Sequence, residues 1–129
     1  MKNITTNKNI IVEVKTHFEA DFSRADVPSF IFSYHITITN NNPFPVKLEK
    51  REWMITDSNG EIITVKGDGV VGLTPEIPVN EKFKYSSNVN LKSGLGNMKG
   101  RFQMINILSG ETFYAEVPEF KMEAEFMLN

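Results

Sequence analysis

Apolar residues recur at every second position along most of this chain, a period that indicates strands with one face on a core and one face wetter. Ile10, Val12, Val14, Thr16 and Phe18 share one parity, while Glu13, Lys15, His17 and Glu19 share the other. Phe30, Phe32, Tyr34, Ile36 and Ile38 form the cleanest alternating apolar set, with Ser33, His35, Thr37 and Thr39 on the opposite face. The residue types agree, being β-branched or aromatic. A third stretch, from Val46 to Asp57, changes parity midway: Val46 and Leu48 are even, Trp53 and Ile55 odd. A continuous strand would put those pairs on opposite faces, so a β-bulge is predicted near Glu49 to Glu52.

Ser58-Asn59-Gly60 follows, and Asn-Gly is a strong hairpin signal because both residues tolerate positive φ. The return strand is predicted over Glu61 to Val65. Further strands are predicted over Lys82 to Leu91 and Met98 to Ile107 and, after a Ser109-Gly110 turn, over Glu111 to Val117. About seven strands at regular spacing, with no convincing helix, fit an antiparallel β-sandwich of the immunoglobulin or fibronectin type III kind. A closed barrel is the alternative. Trp53 takes the place of the buried sandwich tryptophan; exposed beside Arg51, it would instead resemble an interface hot spot. Residues 1–9, polar and rich in Asn and Thr, read as a flexible arm, 10–122 as a single domain, and 123–129 as a tail or a last edge strand.

Composition narrows the chemistry. The 129 residues are 40% hydrophobic and include 10 Phe, enough for a self-sufficient core. Fourteen Lys plus Arg against 16 Asp plus Glu give a net charge of -2, without the surplus of positive charge that nucleic-acid binding needs. There is no cysteine, which excludes disulfides, thiolate metal sites and Cys nucleophiles. No signal-like apolar stretch opens the chain and no apolar run approaches the ~18 residues of a membrane span, so a cytoplasmic protein without a membrane partner is expected.

The most suggestive motif is Gly67-Asp68-Gly69-Val70-Val71-Gly72, a literal G-x-G-x-x-G. In dinucleotide-binding folds such glycines bring a backbone turn to a pyrophosphate at a helix N-terminus. Here Leu73-Thr74-Pro75-Glu76-Ile77-Pro78 follows, and two prolines that close together exclude a regular helix. What survives is a loop whose backbone N–H groups can form an anion-binding concavity, with Lys66 alongside and Asp68 opposing unless a cation bridges. The competing reading is a tight connection whose Val70, Val71 and Leu73 cap the sandwich.

Elsewhere the signals are weaker. His17, Glu19 and Asp21 alternate on one predicted strand face and are candidate metal ligands that His35 could approach, but alternating polar residues on a solvated face are ordinary and no ligand spacing supports a metal there. Ser86 and Ser87 lie in a predicted strand rather than a nucleophile elbow, and neither histidine has a context that makes it their base. Lys47, Lys50 and Arg51, interleaved with Glu49 and Glu52, read as a solvated mixed-charge face.

Taken in order, Tyr34-His35-Ile36-Thr37-Ile38-Thr39-Asn40, Val46-Lys47-Leu48, Arg51-Glu52-Trp53-Met54-Ile55-Thr56-Asp57, Val65 through Gly72 with Pro75, Phe83-Lys84-Tyr85-Ser86-Ser87, Gly96-Asn97-Met98-Lys99-Gly100, Phe102-Gln103-Met104 and Val117-Pro118-Glu119-Phe120 resemble the ApaG domain family over roughly Ile10 to Met122. The departures are Glu52 where the family commonly has His, Asn80 for a frequent turn Gly, and Asp68 for a usual Glu; the first weakens any metal role at that position. The resemblance implies a fibronectin type III-like sandwich. It also implies a link, by name, of bacterial members to cobalt and magnesium resistance or efflux, and a protein-binding role for the similar domains of eukaryotic F-box adaptors and a polymerase-interacting protein.

These observations lead to a non-enzymatic module that binds a protein partner and needs no cofactor. The alternative is a phosphate, nucleotide or Mg²⁺/Co²⁺ sensor in which Lys66, Gly67, Asp68, Gly69 and Gly72 form the binding loop, linked to cobalt and magnesium homeostasis. A phosphoanhydride hydrolase is a third reading. A free edge strand would also allow a homodimer.

Overall fold

The computed structural model describes residues 3–124. These residues form β1 (Asn3–Asn7), β2 (Ile10–Phe18), β3 (Phe30–Asn40), β4 (Val46–Asp57), β5 (Ile62–Asp68), β6 (Glu76–Ile77), β7 (Lys82–Leu91), β8 (Leu95–Asn106) and β9 (Thr112–Glu123), with one 3-10 turn at Ala20–Phe22. One antiparallel sheet has the order β1-β2-β3-β7; the other has β5-β4-β8-β9, with the short β6 also on β4. The two sheets enclose one core, so the molecule is a sandwich and not the alternative barrel.

Strand parity builds that core. Val12, Val14, Phe32, Ile36 and Ile38 project from one sheet, and Leu48, Met98, Phe102, Met104 and Phe120 from the other, all nearly or fully buried. Trp53 is buried at the centre, edge-on to Tyr34, Phe102 and Phe120 at ring-centroid distances of 5.7, 5.9 and 6.4 Å. Its place as the core tryptophan follows from sharing a parity with Ile55.

Three expectations are corrected. The segment expected as a flexible arm is, over Asn3–Asn7, an antiparallel partner of β2 in register Asn3↔Val14 to Asn7↔Ile10; Met1 and Lys2 lie outside the described residues. The last strand runs to Glu123 rather than ending at Val117, because its register with β8 shifts between Met98 and Gly100. Pro118 falls in that irregularity, where a missing N–H removes no ladder bond; residues 125–129 lie outside the described residues. At Ser58-Asn59-Gly60 the expected hairpin forms, but only Gly60 has positive φ; its N–H donates to the Asp57 carbonyl while Asp57 N–H donates to the Glu61 carbonyl. This is a three-residue loop with glycine in the left-handed position, not the two-residue Asn-Gly turn.

One long side of the sandwich is closed and the other open. On the closed side β1 and β2 lie against β9, and the Thr5 hydroxyl donates to the Glu116 carbonyl at 2.6 Å. On the other side β5 and β7 are the end strands of their sheets. The glycine motif lies at the end of β5.

Candidate functional site

The expected bulge sits at Glu49, where the β4–β8 register shifts between Leu48 and Lys50. It turns two main-chain groups of β4 away from the ladder. The Leu48 N–H donates to the Pro75 carbonyl at 3.0 Å, and the Glu49 carbonyl accepts the Gly69 N–H at 2.7 Å. One edge of β4 thereby serves two partners, β5 as far as Lys50↔Asp68 and β6 at Lys47↔Glu76. The loop between them is built around the bulge.

Within that loop Val70 and Leu73 exchange two main-chain hydrogen bonds, at 2.8 and 2.9 Å. The central residues, Val71 and Gly72, have φ of 44° and 78°, the signs of a type I′ turn. Val70 is buried, whereas Val71 and Leu73 are 53% and 54% exposed. The capping role expected of all three therefore belongs to Val70 alone. A β-branched residue in the left-handed region is strained, and here that strain presents an apolar side chain to solvent.

The five predicted binding residues do not converge on one point. Lys66, Gly67 and Asp68 line a surface groove of about 390 Å³ with Lys50, Glu52 and Tyr114. Gly69 is buried, and Gly72 is exposed at the turn. The Gly69, Val70 and Leu73 N–H groups are all given to protein carbonyls. Lys66 Nζ lies 3.6 Å from a Glu52 carboxylate oxygen.

Glu52 belongs to the outer face of its sheet, where its carboxylate also accepts from Arg101 Nε. The hydrogen bond from Arg101 holds the Glu52 carboxyl below its usual range, with the charges of Arg101 and Lys66 adding to it. The Arg101 guanidinium in turn stacks 3.8 Å from the centroid of Tyr114.

Arg51 is the residue that sequence reasoning misplaced. Its charge groups it with Lys47 and Lys50 on a solvated face, yet it shares the parity of Trp53 and Ile55 and points inward. Its guanidinium crosses Gly67, and Nη1 donates to the carbonyls of Asp68 at 2.9 Å and Gly69 at 3.0 Å. Across the gap, Tyr34 and Tyr85 are buried, and among the described residues the Tyr85 hydroxyl has no hydrogen-bond partner. Burial pushes both phenols up; the Arg51 charge opposes the shift at each, and a hydrogen bond with Ser87 opposes it at Tyr34.

The remaining candidates are dispersed. β2 ends at Phe18, so Glu19 and Asp21 do not continue the row of His17. Glu19 accepts from the Ser33 hydroxyl at 2.7 Å, and among the described residues no three His, Asp or Glu side chains meet in a metal-binding group. The fold does bring His35 Nδ1 within 2.6 Å of Ser86 Oγ, across neighbouring strands on an exposed sheet face. Among the described residues no helix is long and apolar enough to cross a membrane.

Comparison with known proteins gives a consistent family. The model of the ApaG domain matches residues 20–106. The chain is 42% identical over 121 residues to Protein ApaG of Shewanella sp. (strain MR-7), covering 94% of this chain and 95% of that one. It is 41% identical over 117 residues to Protein ApaG of Bradyrhizobium diazoefficiens, covering 91% and 89%. Among solved structures, a Northeast Structural Genomics Consortium target superposes with a TM-score of 0.84 at 41% identity, over 90% of this chain and 87% of that one. The putative ApaA protein from Bordetella pertussis gives 0.84 at 28% identity, over 95% and 96%.

Proposed function

Because the chain belongs to the ApaG domain family, we propose that it is a non-enzymatic module that binds a protein partner through the glycine loop and the adjoining open side of the sandwich. The observation that carries this reading is the Val70–Leu73 turn. Its Val70 and Leu73 amides are bonded to each other's carbonyls, while Val71 and Leu73 present apolar surface. Asn or Gly at position 71 would relieve roughly 1–2 kcal/mol of left-handed strain, so a valine held there has its use in contact. Ile62, Ile63 and Val79 add exposed apolar side chains on the neighbouring strand and connection, 63%, 45% and 40% accessible.

The rival is the phosphate, nucleotide or Mg²⁺/Co²⁺ sensor. It needs loop amides aimed at a ligand, and three of them are already given to protein carbonyls. An amide NMR titration with ATP and pyrophosphate, each with and without Mg²⁺ or Co²⁺, separates the two readings. The protein-binding reading expects no localised shifts at millimolar ligand; saturable shifts confined to residues 66–74 would replace it with the sensor. In the complementary experiment Val71→Asn with Leu73→Ser leaves the fold intact and removes captured partners. Unchanged capture would sink the loop as the binding surface.

A further inference from the structure

The inference here rests on the protein-binding reading and names the partner's chemistry. At the two ends of the β4–β5 ladder, Asp57 N–H donates to the Glu61 carbonyl and Gly69 N–H to the Glu49 carbonyl. Antiparallel bonding alternates along a ladder, so Ile63, Val65 and Gly67 bond to β4. Ile62, Thr64 and Lys66 then direct their N–H and C=O groups away from the sheet, where no strand pairs with them among the described residues. Edges of this kind are commonly blunted by charge, proline or a bulge. The facing edge strand, β7, carries exposed Lys82 and Lys84, whereas the first half of β5 is Ile62-Ile63-Thr64-Val65.

The inward row of β5 is Ile63, Val65 and Gly67. Gly67 has no side chain, and the Arg51 guanidinium occupies the space: a Cβ at position 67 would lie 2.9 Å from both terminal nitrogens. Only Nη1 is used, on the two loop carbonyls. Among the described residues Nε and Nη2 have no acceptor, and no carboxylate pairs with Arg51. The guanidinium thus stands over the edge strand itself, about 4.8 Å, one strand spacing, from where an added strand would lie. On the other sheet, the buried Tyr85 hydroxyl is a further donor without a partner among the described residues.

The geometry points to an extended segment of a partner protein that adds to β5 as a further strand and sets one acidic side chain opposite Gly67, its carboxylate closing on the Arg51 guanidinium. The next inward positions, opposite Val65 and Ile63, take apolar side chains, so the segment carries an acidic residue two and four positions from apolar ones. Main-chain bonds supply pairing and the alternate side chains supply selectivity, as in other strand-addition complexes. A carboxylate suits the site because guanidinium and carboxylate form paired, charge-assisted hydrogen bonds.

The test is selection of a random heptapeptide library on the immobilised full chain, followed by binding and amide NMR with the synthetic winners. The expected winners carry Asp or Glu two residues from a β-branched or aromatic residue and shift amides 62–68. They lose binding when alternate peptide amides are N-methylated. Replacing the peptide's acid by its amide weakens binding about tenfold on the wild-type chain, with no change to the protein's own fold. Arg51→Gln removes that difference, and Tyr85→Phe, which keeps the core shape, reduces it. A library that enriches no acid, an N-methylated peptide that binds equally well, or an acid preference untouched by Arg51→Gln would overturn the proposal. Winners that shift residues 70–74 while β5 stays silent would overturn it too, and would leave the loop reading standing.

Discussion

At the scale of single residues, the glycines of the motif serve three different ends. Gly67 leaves room for the Arg51 guanidinium, Gly69 brings the chain against Leu73, and Gly72 takes the second left-handed position of the turn. A Cβ on Gly69, at φ 61°, would lie 2.0 Å from the Leu73 carbonyl oxygen, while one on Gly72, at φ 78°, would meet nothing within 4 Å. Gly72→Ala is therefore expected to cost only the left-handed penalty, about 1–2 kcal/mol. Gly69→Ala costs more, because the backbone must also move. Urea unfolding of the two variants checks this, and equal losses would mean that the turn around Gly69 adjusts freely. The motif was legible in the sequence but its work was not, since the same spacing serves a phosphate loop only when a helix follows. Arg51 was legible and overlooked: its parity with Trp53 outweighs the charge of its neighbours.

At the scale of elements, alternation located β2, β3, β4, β7 and β8 nearly to their ends, and the parity change within β4 located the bulge. What escaped was held by tertiary pairing rather than by local pattern. β1 is Asn-Ile-Thr-Thr-Asn, and β6 is two residues between prolines. β9 continues past a proline that reads as a strand end. Asn80, expected to stand in for a turn glycine, has φ 63° and does so. Between neighbouring strands, Glu52 joins β4 to β8 through Arg101 and to β5 through Lys66. The Glu52 carboxyl is held below its ordinary 4.5, first by the hydrogen bond from Arg101. A depressed acid contributes stability above its unfolded pKa and loses it as pH falls through the folded one. Glu52→Gln should accordingly melt below the wild type at pH 7, and the gap should close as the pH falls below about 4. A gap that persists in acid would assign the loss to packing of the side chain and not to its charge.

At the scale of the whole molecule, the two ends of the sandwich are tied by buried polar side chains. At one end the Asp57 carboxylate accepts from the Lys92 N–H at 2.7 Å and the Ser93 hydroxyl at 2.5 Å, joining the β4–β5 hairpin to the β7–β8 turn. At the other end Asn40, fully buried, holds the crossing from one sheet to the next. Its side-chain amide donates to the carbonyls of Phe44 at 2.9 Å and Ile77 at 3.0 Å, and its Oδ1 accepts the Asn42 N–H at 3.0 Å. Its main chain binds Asn80 and Glu81 on the connection between β6 and β7. The glycine loop and β6 hang on β4 just after that crossing, so the geometry of the open side depends on it. Asn40→Asp keeps the shape but sets a carboxylate against two carbonyl oxygens. Charged and without an opposite charge in a buried site, it should cost about 3–5 kcal/mol at pH 7. Burial raises the folded pKa of such a group above its unfolded value near 3.9, so the penalty is absent below the unfolded pKa and grows as pH rises toward the folded one. Urea unfolding at pH 4 should find the variant much closer to the wild type than at pH 7. An equal deficit at both values would show that the lost amide donors, rather than a buried charge, set the cost of disturbing the crossing.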